Sequence, residues 1–239
     1  MKKLLLLAFM AVGMTAHAET LVTNDDEDKQ IENKGGVELG KGKDEDDRWS
    51  MHLAVGVDIP TGAPDGVDFA PFRSWEINWT VVQYDYTPGK SNTTLSAGLG
   101  FNWRTYTLKG HKDGFFKMND VIGIGEAGKA YDDFSSNIHT TSLSMPLLLK
   151  QRFSKHFAIS LGAQLNWNFY GRIHNYWEDG DYEADEYTKK IGQRPFTVDV
   201  LGIVHLGNGF GVYCKYSPMS VLKKDKGPDF KSLAVGFYF

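Results

Sequence analysis

The chain contains a single cysteine, Cys214, so no internal disulfide can staple it, and a packed or lipid-facing position is expected for it. Beyond its first residues it has no run of 18 consecutive apolar residues, which excludes a helical membrane protein. It also lacks an amphipathic helix, because no stretch repeats its apolar residues at helical spacing. Positive charge is scattered and outweighed, with a formal net charge of −4, so nothing points to a nucleic-acid partner. The mean hydropathy is low, −0.35. That leaves a membrane barrel open, since strands give a much weaker hydropathy signal than spanning helices.

An export signal stands at the start. Lys2 and Lys3 form a positive region, Leu4 to Val12 an apolar one, and Ala16-His17-Ala18 a small-x-small cleavage site. The apolar run falls well short of the roughly 20 residues that a spanning helix needs. Residues 1–18 therefore read as a cleaved signal peptide, and Glu19 stands where a lipoprotein would need cysteine. Cleavage removes two lysines and leaves about −6 on the mature chain. Residues 19–48 are acidic (NDDEDKQIENKGG, then KGKDEDDR) and carry too little apolar surface to offset the entropy of ordering them. A disordered periplasmic segment is expected there.

From Trp49 the period becomes two. Trp49, Met51, Leu53, Val55, Val57 and Ile59 alternate with small or polar residues over eleven positions. The same texture recurs from Trp75, Leu95, Leu143 and Phe157, and again over Phe196 to Leu206, Phe210 to Tyr216 and Leu233 to Phe239. These eight segments predict an all-β domain over 49–239. Short turns (Pro88-Gly89-Lys90, Ser154-Lys155-His156 and Gly207-Asn208-Gly209) alternate with long polar connections. An eight-stranded antiparallel up-and-down barrel with all its long loops at one end follows, as in bacterial outer-membrane barrels. Pro146 inside the fourth strand predicts a bulge or bend. The second strand loses phase after Val82, which would carry Tyr84 and Tyr86 to the inner face.

Which face points inward separates a lipid-embedded barrel from a soluble one. The apolar face carries bulky residues, with aromatics near strand ends such as Trp49, Trp103, Trp167, Phe210 and Phe239, as two interfacial girdles would. The other face is polar, as in Ser160, Gly162, Gln164, Asn166 and Asn168. A soluble ligand-binding barrel needs an apolar interior, so the transmembrane reading is preferred.

The stretches WEI…YDYTP…GLGFNWR (Trp75 to Arg104), PLLLK…LGAQLNW (Pro146 to Trp167) and the terminal LAVGFYF carry a family resemblance. They resemble the small outer-membrane β-barrel proteins of Bacteroidetes, the PorT-like or outer membrane protein β-barrel domain group. The resemblance covers 49–239 and implies a cell outer-membrane location. Its implied roles are mixed, with a transport or secretion accessory as one alternative. The ending, with Leu233, Val235, Phe237 and Phe239, resembles the C-terminal signal read by the barrel assembly machinery.

Four constellations bear on chemistry. Gly123-Ile124-Gly125-Glu126-Ala127-Gly128 matches a dinucleotide fingerprint without its βαβ context, so a flexible loop and no cofactor are expected. Asp179, Asp181, Glu183, Asp185 and Glu186 offer oxygens to a divalent cation, but Ala184 replaces the glycine of a calcium loop, and a solvated outer loop is the plainer reading. His139 and Thr141 share one face of the fourth strand, an arrangement similar to the His-x-Ser of lipid A deacylases, but without an evident carboxylate. Finally, His52, Glu76, Lys150, Arg152, Asp199 and Lys215 all have inward parity. In an eight-stranded barrel they should pair into a plug, because the lumen has room only for side chains. The expected protein is a non-enzymatic structural or interaction barrel, contacting outer-membrane lipid and offering its long loops to protein partners.

Overall fold

The computed structural model describes residues 47–239 except 65, 66, 90, 111, 127–132, 181 and 208. The signal peptide and all but the last two residues of the acidic segment lie outside the described residues. The described chain is all-β. Its strands are β1 (Asp47–Thr61), β2 (Trp75–Tyr86), β3 (Thr93–Thr107), β4 (Asp113–Met118), β5 (Val121–Glu126), β6 (Asp133–Ser154), β7 (Phe157–Asp179), β8 (Tyr182–Lys189), β9 (Phe196–His205), β10 (Gly211–Ser217) and β11 (Lys231–Tyr238). Nine of them form one antiparallel sheet in the order β6-β3-β2-β1-β11-β10-β9-β7-β8. An additional β6–β7 pairing returns the ladder on itself, while β4 and β5 form a separate hairpin.

The eight predicted segments correspond to β1, β2, β3, β6, β7, β9, β10 and β11. Three further strands occupy stretches expected to be loops. The GIGE of the fingerprint lies in β5, paired with β4, rather than in a flexible loop. The acidic stretch after Asp179 is solvent-exposed as expected, but its residues from Tyr182 form strand β8, paired with β7 from Arg172↔Lys189 to Asp179↔Tyr182, rather than a loop. Strands β6 and β7 run 22 and 23 residues, far beyond their predicted lengths. These segments pair through backbone groups, which composition alone does not reveal.

Two local irregularities differ from expectation. The register of β2 shifts between Thr80 and Val82, so Val81 is an extra residue. Such a bulge reverses the alternation beyond it. Tyr84 and Tyr86 consequently face outward, with Tyr84 against Trp49 at 5.0 Å between ring centroids, and Gln83 is the buried residue. Pro146 produces no bulge: the β3–β6 register is the same on both sides of it, from Ala97↔Leu147 to Gly100↔Ser144. The rungs between are unpaired, and Pro146 keeps its place opposite Gln164 on β7. Gly98 provides the room, since a Cβ there would lie 3.1 Å from the proline ring.

The apolar phase reverses along single strands. In β6 the outward positions Met145, Leu147 and Leu149 are exposed, whereas nearer the long-loop end the inward positions Phe134 and Ile138 are the buried apolar ones. β3 changes in the same way, from outward Leu95 and Leu99 to inward Tyr106. In β7 a bulge opposite Thr141 and Ser142 accomplishes the change, leaving Trp167 and Phe169 outward and Ile173 inward. One end of the ring thus has an apolar outside, and the other an apolar inside of the kind found in water-soluble domains.

Candidate functional site

The interior holds three layers. Toward the short turns lies an apolar cluster including Leu148, Leu201, Ile203, Tyr213 and Tyr238. Toward the long loops lies a second, in which Tyr106, Ile138 and Ile173 of the ring meet Phe115 and Ile122 of the β4–β5 hairpin and Leu222 and Phe230 of the β10–β11 connection. Ser136 fixes the hairpin there, accepting a hydrogen bond from the Phe115 amide at 2.9 Å and donating to Asn175 at 2.5 Å.

Between these clusters is a charged network. Glu76 on β2 stands opposite Arg104 on β3, with 3.3 Å between Nε and Oε2. Arg104 also pairs with Asp199 of β9 across the lumen and donates to Asn102 at 2.8 Å and Ser217 at 2.9 Å. Lys215 on β10 places its ammonium 2.5 Å from Glu76 and 3.9 Å from Asp199. Asn166 donates to Asp199, Gln164 to Asn166 and Asn78 to Gln164, each at 2.8 Å. Asp58 on β1 is fully buried within electrostatic reach of Arg104 and Lys215. Three carboxylates and two cations therefore share a space from which water is excluded. Charges buried this way need partners of opposite sign, and Arg104 and Lys215 supply them to Glu76 and Asp199.

Of the six inward charges expected from parity, Glu76, Asp199 and Lys215 meet in this network. His52 does not: it sits near the short-turn end, hydrogen-bonded to Ser50 at 2.9 Å and to the Phe239 carbonyl at 3.3 Å, with its ring on Tyr238. Lys150 lies on the rung of Thr94 and Ser160 at that same end. Arg152 is exposed beside the β6–β7 turn and takes no part in a plug. Arg104 and Asp58 are the members that the sequence reading did not name. Parity could have found both, since Arg104 follows outward Trp103 and Asp58 lies between outward Val57 and Ile59.

The His139 and Thr141 pair faces outward, but the His139 ring accepts or donates at Thr105 of β3, 2.8 Å away, instead of engaging Thr141. Around it lie His174, 6.2 Å away between ring centroids, and Tyr187 stacked on His174 at 4.5 Å. In the acidic stretch, Asp185 spends an oxygen on His174 at 2.6 Å. Among the described residues no group of three or more His, Cys, Asp or Glu is arranged to hold a metal ion. Cys214 is exposed on the outer wall. The terminal Phe239 exchanges two backbone hydrogen bonds with Leu53, at 3.0 and 2.8 Å, so the last residue still belongs to the sheet.

No protein family and no curated protein matches the chain. Among solved structures it is similar to Ail, the attachment invasion locus protein of Yersinia pestis, at 9% identity and a TM-score of 0.32, over 81% of this chain and 99% of that one. A second structure of Ail, in complex with the heparin analogue sucrose octasulfate, gives 10% identity and a TM-score of 0.35 over the same shares.

Proposed function

We propose that the chain is an eight-stranded transmembrane β-barrel of the cell outer membrane, acting as a structural or interaction protein with neither an open pore nor catalytic chemistry. The observation that carries this reading is the sign of the barrel's two surfaces. The outside of the ring exposes a contiguous belt that includes Leu95, Leu147, Leu161, Leu165, Val200 and Phe237, while inward neighbours such as Ser144, Ser160, Gln164 and Asn166 are buried and polar. An apolar outside of that extent around a polar inside supports a lipid surrounding. The three filled layers of the lumen support the non-pore half of the proposal.

In this reading the signal peptide 1–18 directs export, and the strand ending at Phe239 is presented to the barrel assembly machinery. Membership of the PorT-like group is supported by the sequence resemblance of residues 75–104, 146–167 and 233–239. Outer-membrane lipid surrounds the belt, and the ordered crown of β4, β5, β8 and the extensions of β6 and β7 offers a surface to partners. The test is membrane fractionation together with gel migration of boiled and unboiled samples. Recovery in the outer membrane with a heat-dependent shift is expected. Recovery in the soluble periplasmic fraction without that shift would refute the proposal.

A further inference from the structure

The crown carries a cationic pocket in an otherwise acidic chain. A cavity of about 410 Å³ is lined by Lys190, Lys223 and Lys226 together with Asp120, Asn168 and Pro195. Lys117 stands beside it, its ammonium 2.9 Å from Asp120 and 3.0 Å from the Lys190 carbonyl. The ammonium groups of Lys190, Lys223 and Lys226 form no ion pair with the described residues. Asp120 is held below the usual carboxylate range, mainly through its hydrogen bond to Lys117, with Lys226 and Lys190 adding to the positive field.

The pocket is built rather than incidental. The Lys223 amide donates to the Gly192 carbonyl at 2.8 Å, Lys226 to Lys223 at 3.1 Å, and Ile122 to the Lys226 carbonyl at 2.9 Å, which pins the lysine-bearing turn to two other segments. Gly192, at φ +72°, lies under the stem of Lys226, and a Cβ there would stand 2.8 Å from that of the lysine. Non-glycine residues held at positive φ cluster here too: Asn119, Asp120, Lys190 and Asp225. Lys117 and Asp120 offset one another as an ion pair, so Lys190, Lys223 and Lys226 leave the pocket net positive, as suits the anionic oxygens of a phosphate monoester at neutral pH.

Its height identifies the source of such a group. The β7–β9 ladder runs ten rungs, from Ala158↔His205 to Trp167↔Phe196. At a rise of about 3.3 Å and a tilt of about 40°, its nine steps cover roughly 23 Å, close to the height of about 25 Å of the apolar band of an outer-membrane barrel. The last rung carries two exposed aromatics, Trp167 and Phe196, and the pocket residues Asn168 and Pro195 follow it directly. The lysines therefore stand at headgroup level.

We propose that Lys190, Lys223 and Lys226 form a binding site for the phosphate of an outer-leaflet lipid headgroup, tying the crown to the membrane surface. The proposal rests on the outer-membrane reading above. The test uses the full mature chain folded in maltoside micelles and titrated with bis-phosphorylated lipid A, with dephosphorylated lipid A, and with inorganic phosphate. Tight, salt-sensitive binding of the phosphorylated lipid is expected, weakened at least about tenfold in Lys223→Gln/Lys226→Gln, since charge-assisted hydrogen bonds are lost. Gly192→Ala keeps every charge but displaces the Lys226 stem, and it should weaken the same binding without affecting the dephosphorylated lipid. Equal affinity of the parent and the double variant would overturn the site. Saturation by inorganic phosphate with no preference for the lipid would overturn the headgroup assignment. Heat-dependent gel migration of each sample reports folding independently, so a failed barrel is distinguishable from a failed site.

Discussion

Replacing Lys215 with methionine preserves most of the side-chain volume and deletes one charge at the centre of the lumen. Lys215 is fully buried, with its ammonium 2.5 Å from Glu76 and 3.9 Å from Asp199. Unit charges about 4 Å apart interact by about 4 kcal/mol at an effective dielectric of about 20. Two attractions of that order are partly offset by repulsion from Arg104 and by the cost of desolvating the ammonium itself. In the variant, Asp58, Glu76 and Asp199 face Arg104 alone. Removing one partner of a buried pair typically costs about 3–5 kcal/mol, and that is the loss expected here. Urea unfolding of the protein in lipid vesicles, followed by tryptophan emission, measures it. Adding Glu76→Gln should recover a large part of the loss, giving a coupling energy above about 1 kcal/mol in a double-mutant cycle. A loss below about 1 kcal/mol for Lys215→Met, or strict additivity of the two changes, would refute the reasoning that these charges compensate one another.

The filled lumen predicts negligible conductance in planar bilayers, and steady ion-selective single-channel currents from the purified barrel would contradict it. Gly56→Val places a Cβ against the Tyr213 hydroxyl and the Val235 carbonyl, so it should lower stability by about 1–3 kcal/mol in the same urea assay, and an unchanged midpoint would show that the wall can yield. Phe115→Ala removes the ring that holds the β4–β5 hairpin to the crown core, at about 3–5 kcal/mol, and should expose Asp113–Glu126 to limited proteolysis while the heat-dependent gel shift persists. Deleting Phe239, or replacing it with Asp, should sharply lower membrane insertion while export continues, as read by fractionation, and normal insertion of both variants would show that the terminal aromatic is not used in assembly.

Alternation made the eight ring strands legible, because residues two apart share a face and one face of each strand is bulky and apolar. The same rule implied inward polarity at Ser160, Gln164 and Asn166 and charge at Glu76, Asp199 and Lys215, and the alternation of short and long connections implied the meander. What the sequence could not supply were the places where the rule changes. Val81 inserts one residue into β2 and returns Tyr84 and Tyr86 to the outside; the letters VVQYDY show the loss of phase but not the inserted residue that repairs it. Above the aromatic rung the buried apolar face changes sides, so Ile138 and Ile173 point inward where Leu143 and Leu165 point outward, and the mixed texture reads as loop. The hairpin β4–β5 and strand β8 owe their existence to backbone pairing and to a shared core with residues far along the chain, such as Leu222 and Phe230. Which inward charges meet was likewise a matter of height and not parity: Arg104 and Asp58 lie at the level of Glu76, whereas His52, Lys150 and Arg152 lie toward the short-turn end. Parity is a local property of one strand, and so it is written in sequence. Height, partner and solvent are properties of the closed sheet, and only the tertiary structure assigns them.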